Sequence, residues 1–263
     1  MRLTVLEGGS GPWVVQVAGI VGGCLLYRET GEALVRAGYR VALLDTAGDR
    51  RDDPAKESLS WDYLAREVVA GLDALGVERA ILYGTSFGSL VALATASRFP
   101  SRVSALLLAH PPRHGRKLFQ PAVRWALRQK DPVRATANLF QVIFTGLLCW
   151  EFVYPAALRR LPMARTEAMR AATPARTLHE KLRLLWSHSP GLPPKDMPVS
   201  ILSSPWDGAA PLSGARAWQQ EIPGAALRVL RFTGHSAHFS RPGTFNRMVV
   251  EEVRRLTPTA PSR

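Results

Sequence analysis

Ile81-Leu82-Tyr83-Gly84-Thr85-Ser86-Phe87-Gly88-Ser89-Leu90-Val91-Ala92 is the stretch around which the chain is organised. An apolar run enters it, Gly-Thr-Ser-Phe-Gly turns it, and a helix rich in small residues leaves it. The G-x-S-x-G spacing is that of a nucleophile elbow, a tight strand-to-helix turn holding a serine in a strained backbone conformation. Gly84 and Gly88 carry no side chains, so strand and helix can approach closely. The Ser86 hydroxyl then stands above the sheet, and the amides after it lie at a helix N-terminus, where they stabilise developing negative charge. Three fixed positions also arise by chance in a glycine-rich chain, so an acid and a histidine further along must decide the reading.

A chain of 263 residues fits one large domain, or one domain carrying an insertion. With 46% hydrophobic and 21% charged residues it belongs with soluble globular proteins. Met1 to Gly8 has neither the apolar core nor the small-residue cleavage site of a signal peptide, so a cytoplasmic location is expected. Cys24 and Cys149 stand far apart among apolar residues and match no metal or redox spacing; both are expected to be buried free thiols. The net charge of +13 raises the question of nucleic acid. No basic run is interleaved with aromatic residues, so no nucleic-acid partner is expected. No cofactor and no metal is expected either.

Around the elbow the chain alternates. Leu3–Leu6 and Trp13–Val17 are short apolar runs joined by Glu7-Gly8-Gly9-Ser10-Gly11-Pro12, which reads as a hairpin or near-hairpin. A glycine-rich loop, Ala18 to Gly23, leads to a helix over about Tyr27–Ala37. Tyr39–Leu44 is an apolar strand ending at Asp45. Ser60 can cap a helix from Trp61 to about Leu75, with Leu64, Val68, Leu72 and Leu75 on one face. Ala80–Tyr83, Phe87–Ser97 and Val103–Ala109 continue as strand, helix and strand. This order indicates a mostly parallel sheet covered by helices on both faces.

The alternation then stops. Helix-like runs follow at about Pro121–Gln129, Asp131–Phe144, Met163–Ala172 and Ala175–Ser187, punctuated by prolines. Residues 111–196 are therefore expected to form a helical cap inserted into a core made of residues 1–110 and 197–263. Between Pro111 and Pro190 there are fourteen Lys and Arg against four Asp and Glu. Most of the positive excess lies there, with Arg159, Arg160, Arg165 and Arg170 read as solvated helix faces. Leu139 to Tyr154 is the most apolar part of the insertion. Gln141 and Glu151 interrupt it and Pro155 follows it, which argues against a membrane span. Its expected roles are packing the cap on the core and lining an apolar pocket.

Strands resume at Pro198–Ser203 and Ala226–Phe232, with helices at about Leu212–Gln220 and Gly243–Leu256. Asp207 follows the first of these strands and His235 the second. Ser86, Asp207 and His235 thus all lie just beyond carboxyl ends of parallel strands, where such sheets place their sites. A serine hydroxyl is a poor nucleophile near neutral pH, so a histidine must take its proton, and a carboxylate must orient and stabilise that histidine. His238 competes with His235. His235 is preferred because it follows Gly234 directly after the strand, where a short turn points it at Ser86.

These residues resemble the α/β-hydrolase family over essentially the whole chain: the elbow Gly84 to Gly88, the acid loop Trp206-Asp207-Gly208-Ala209-Ala210-Pro211, and the order Ser, Asp, His. Asp45-Thr46-Ala47-Gly48 looks like the family's Asp-x-x-Gly loop, and the insertion lies after the sixth strand of the family's order, where many members carry a lid. The resemblance implies a catalytic triad of Ser86, Asp207 and His235, with the Ile20 and Phe87 amides as the oxyanion hole. Three segments depart from it. Ala18 replaces a frequent histidine before Gly19, Gly48-Asp49-Arg50-Arg51-Asp52 replaces Gly-x-Gly-x-Ser, and Ser240 stands where a glutamate is common.

The resulting expectation is a serine hydrolase acting on a small or medium carboxylic ester with an apolar portion, without nucleic-acid or membrane partners. C–C bond hydrolases, thioesterases and perhydrolases share the triad and remain alternatives, as does a non-catalytic binding protein on the same fold. Ser86 argues against the dehalogenase and epoxide-hydrolase branches, which carry aspartate at the elbow.

Overall fold

A computed structural model describes residues 1–21, 23–46, 48–49, 53, 55–113, 120–148, 173–187 and 189–257. Among the described residues seven strands form one sheet: β1 (Arg2–Leu6), β2 (Trp13–Val17), β3 (Arg40–Asp45), β4 (Ala80–Thr85), β5 (Val103–Ala109), β6 (Val199–Ser203) and β7 (Ala226–Val229). Their spatial order is β1-β3-β2-β4-β5-β6-β7. Every neighbouring pair is parallel except β1 with β3.

The expected hairpin does not form. β1 and β2 are separated by β3, to which each pairs: Leu6 lies opposite Val41 and Val14 opposite the same residue. The linker instead crosses the start of β3, where the Ser10 and Gly11 amides donate to the Gly38 carbonyl at 3.2 and 2.9 Å. The glycines permit this crossing: a Cβ at Gly9 would lie 2.0 Å from the Tyr39 carbonyl oxygen. A short polar connection was thus compatible with two pairings, and the antiparallel edge with β3 won.

Helices cover both faces. On one, α2 (Trp61–Ala74), α3 (Phe87–Arg98) and α7 (Leu212–Glu221) bury Leu64, Val68, Leu72, Leu90 and Trp218 against Val15, Leu44, Leu82 and Leu106. On the other, α1 (Arg28–Arg36) and α9 (Pro242–Leu256) bury Leu34, Phe245, Val249 and Val253 against Val14, Leu43, Tyr83 and Leu107. The central strands are buried on both faces, which explains why they read as continuous apolar runs rather than alternating ones. The Ser60 hydroxyl caps α2 by accepting from the Tyr63 amide at 3.0 Å.

Helices α4 (Gln120–Leu127), α5 (Pro132–Leu148) and α6 (Ala175–Ser187) follow β5, the fifth strand of this chain. Ala137, Phe140 and Leu185 pack on the core, whereas Val142 faces solvent. The apolar stretch is therefore two-faced as far as it is described. Residues 149–172, with Cys149, the expected Met163–Ala172 helix and the four arginines between 159 and 170, lie outside the described residues. Cys24 is a buried free thiol, and burial pushes its pKa up. No helix among the described residues is long and apolar enough to cross a membrane.

The last strand is shorter than its apolar run. β7 ends at Val229, and Phe232 takes a positive φ of 57°. That turn carries the chain toward His235.

Close main-chain packing also lies under the elbow. A Cβ at Gly88 would sit 2.4 Å from the Val17 and Ala18 carbonyl oxygens, and one at Gly84 would sit 2.3 Å from the Gly88 carbonyl oxygen. All of these obstacles are main chain and cannot swing away. Gly88→Ala should therefore lower the unfolding free energy by about 2 kcal/mol or more. Urea titration followed by circular dichroism would check this, and an unchanged midpoint would contradict it.

Candidate active site

Ser86 occupies the turn between β4 and α3 with φ 54° and ψ −122°. A non-glycine residue with positive φ is strained. Several bonds hold it there. The Ser86 amide donates to the Ala109 carbonyl at 2.8 Å. The buried Ser89 hydroxyl bridges the Gly84 and Ala109 carbonyls at 2.8 and 3.1 Å. The turn is thereby tied to β5, and the half-buried Ser86 side chain is presented at the rim of the sheet.

Asp207 and His235 arrive from the loops after β6 and β7. His235 Nε2 lies 3.1 Å from Ser86 Oγ, and its Nδ1 lies 2.9 Å from Asp207 Oδ2 and 3.1 Å from Oδ1. The acceptor carboxylate fixes the proton of the neutral ring on Nδ1, leaving Nε2 free to accept from the serine hydroxyl. Asp207 Oδ1 also accepts from the Ala209 and Ala210 amides at 2.9 and 2.6 Å. Burial alone would raise the Asp207 pKa. The attraction of a protonated His235 and hydrogen bonds from His110 and His235 outweigh it and hold the carboxyl well below the usual carboxylate range.

A family model described as the alpha/beta hydrolase fold matches residues 12–242. The chain belongs to the α/β-hydrolase family. This α/β-hydrolase is 29% identical over 264 residues to a 2-hydroxy-6-oxononadienedioate/2-hydroxy-6-oxononatrienedioate hydrolase of Burkholderia vietnamiensis, covering 95% of this chain and 86% of the relative. Among solved structures it resembles a meta-cleavage product hydrolase from Pseudomonas fluorescens, with TM-score 0.71 and 23% identity over 97% of this chain and 95% of the other. It also resembles an enol-lactonase from Burkholderia xenovorans, with TM-score 0.75 and 19% identity over 96% of each chain. At these identities the two structural likenesses are likenesses of fold.

The competing histidine of this α/β-hydrolase sits elsewhere. His238 lies in the short helix α8 (Ala237–Ser240), its ring 4.6 Å from Tyr27, 4.3 Å from Phe239 and 6.0 Å from Phe245 between centroids. Ser240, at the position where a glutamate is common, is buried with its hydroxyl on the Ser236 carbonyl at 3.3 Å. Ile20 follows β2 in the loop that passes Ser86: a Cβ at neighbouring Gly19 would be 3.8 Å from the Ser86 Cβ. Phe87 opens α3. Phe87 adjoins the serine in sequence, and Ile20 follows the glycine that faces it.

One residue at the site escaped the sequence reading. His110 is fully buried directly after β5, with φ 51°, and its Nδ1 lies 2.9 Å from Asp207 Oδ2. Its ring stacks on Phe245 with centroids 6.2 Å apart. Asp207 is thus held between two imidazoles. His110, Asp207 and His235 have the residue types of a metal cluster, but both Nδ1 atoms already bond the carboxylate at hydrogen-bond distance, which accounts for the grouping. The available signal was position: His110 ends a buried strand on the same rim as the other three.

His110 donates a hydrogen bond to an ionised acceptor, so His110→Leu should cost about 1.5–3 kcal/mol of stability at neutral pH. The sign of the pH dependence follows from the depressed carboxyl. Its contribution is present above the unfolded value of about 4 and is lost as pH falls through the lower folded value. The gap between parent and variant should therefore narrow toward acid, as urea unfolding at neutral and acid pH would show. A gap independent of pH would contradict this.

Proposed function

We propose that the protein is a serine hydrolase working through an acyl-enzyme on Ser86. The observation that carries this reading is the continuous hydrogen-bonded chain from Ser86 Oγ through His235 to the buried Asp207. His235 Nε2 takes the hydroxyl proton as Ser86 attacks the substrate carbonyl carbon. The imidazolium so formed faces an ionised Asp207, which stabilises it. The Ile20 and Phe87 amides hold the oxyanion of the tetrahedral intermediate. His235 then gives its proton to the departing alcohol, and water, deprotonated by the same imidazole, releases the acid.

Residues 111–196 are proposed as a cap over this site, supplying apolar surface for part of a small-molecule substrate. A carboxylic ester is a substrate class that this machinery can serve as it stands. A second reading is supported by relatives that match nearly the full chain. Hydrolases of 2-hydroxy-6-oxo acids, from Burkholderia vietnamiensis and Comamonas testosteroni, match it over 95% and 94% of its length. Cleavage of a carbon–carbon bond beside the 6-oxo group would use the same carbonyl addition, with a carbon leaving group that must be protonated.

Turnover of p-nitrophenyl esters of increasing acyl length, against decay of a conjugated 2-hydroxy-6-oxo-dienoate, separates the two. Ester cleavage with the higher kcat/KM is expected. A large preference for the dienoate would replace the ester reading with the second. In either case Ser86→Ala should lose at least about a thousandfold in kcat, and retention of activity would overturn the acyl-enzyme mechanism. His235→Ala should behave like Ser86→Ala, whereas His238→Ala should keep the parent rate within about tenfold, a factor worth 1.4 kcal/mol of barrier. The reverse pattern would reassign the base.

A further inference from the structure

Lys181 is a charged side chain with 1% of its surface exposed, on helix α6 of the inserted segment. A buried ammonium is costly unless it is paired and hydrogen-bonded. Its surroundings supply three partners. It forms an ion pair with Asp49, itself buried. It donates to the Ile20 carbonyl at 3.3 Å. It also lies over the Phe87 ring, 5.3 Å from the centroid. Asp49 is fixed on its other side, where Oδ2 accepts from the Thr46 amide and hydroxyl at 2.7 and 2.8 Å.

Ile20 and Phe87 are the residues whose amides are assigned to the oxyanion hole, and one cation reaches both. Two of the loops compared with the family pattern meet here. Ala18 offers only a methyl group, with no polar atom to brace the loop that follows it. Asp49, at a position that the pattern leaves open, provides the counter-ion. The brace therefore comes from outside the core, from a helix packed over it.

We propose that Lys181, with Asp49 as its counter-ion, is a positioning residue that couples the seating of α6 to assembly of the oxyanion hole. This rests on the serine-hydrolase reading above. Gly19 leaves the loop before Ile20 conformationally free. Anchoring the Ile20 carbonyl to the ammonium removes that freedom, so the Ile20 amide is preorganised when α6 is seated and loosened when it is not. Preorganised donors stabilise the transition state without reorganising during reaction.

Lys181→Met removes the charge but strands Asp49, so instability alone could obscure its effect. The double variant Asp49→Asn with Lys181→Met leaves no orphan charge, and an amide at position 49 can still accept from Thr46. Three quantities are read on folded protein: the second-order rate of fluorophosphonate labelling at Ser86, kcat and KM on a p-nitrophenyl ester, and thermal unfolding. Labelling and kcat should fall about tenfold to a hundredfold, less than the loss of a whole oxyanion donor, with KM within about threefold. A purely structural pair would lower the melting temperature and leave the labelling rate of the folded enzyme unchanged, and that result would overturn the proposal. If the parent protein itself resisted labelling, the serine-hydrolase reading would fall first and this inference with it. Labelling of the parent combined with parental rates in the double variant would leave that reading standing and remove this one alone.

Discussion

Everything at the rim depends on how closely α3 approaches the sheet. Gly88 lies against the Val17 and Ala18 carbonyls, and Gly84 against Gly88 itself. That contact leaves the chain no room to leave β4 gradually. It must reverse within one residue, and Ser86 takes the left-handed backbone that results. The strain is borne by a buried lattice of main-chain bonds to β5 rather than by the serine side chain, which is left to face His235. Local strain of this kind persists only where the surroundings over-determine it, and here two glycine contacts and the Ser89 bridge do so.

The electrostatics follow the same economy. A carboxylate buried as deeply as Asp207 would be expensive alone. It is surrounded by donors: two main-chain amides and two imidazoles. These keep it ionised, and an ionised Asp207 fixes the tautomer of His235. Lys181 and Asp49 repeat the pattern a short way off, a buried charge accepted because each partner is bonded on more than one side.

The residues with local signatures were legible in the sequence. Ser86 announced itself through flanking glycines, and Asp207 and His235 through their places after strands, because a parallel sheet delivers every strand's carboxyl end to one rim. β5 and α6 had the bounds their apolar patterns indicated. What could not be read was pairing across space. The Glu7–Pro12 connection looks like a hairpin in one dimension, and only the competition of β3 for β1 excludes it. His110 and Lys181 failed to stand out for the same reason. One is a histidine at the end of an apolar run and the other a lysine in a basic helix. Each acquires meaning only through a carboxylate distant in sequence.

The sheet order also has a temporal consequence. Ser86 belongs to the first half of the chain, while Asp207 and His235 follow the inserted helices. The two halves meet where β5 pairs with β6, Leu106 opposite Val199 and Ala109 opposite Leu202. A chain emerging residue by residue thus carries Ser86 long before Asp207 and His235 exist. Distant pairings of this kind form late, because the intervening segment must be closed before they return any stabilisation. On the proposed mechanism, a nascent or partly unfolded chain in which β5 and β6 have not paired holds Ser86 without the histidine and carboxylate that would activate it.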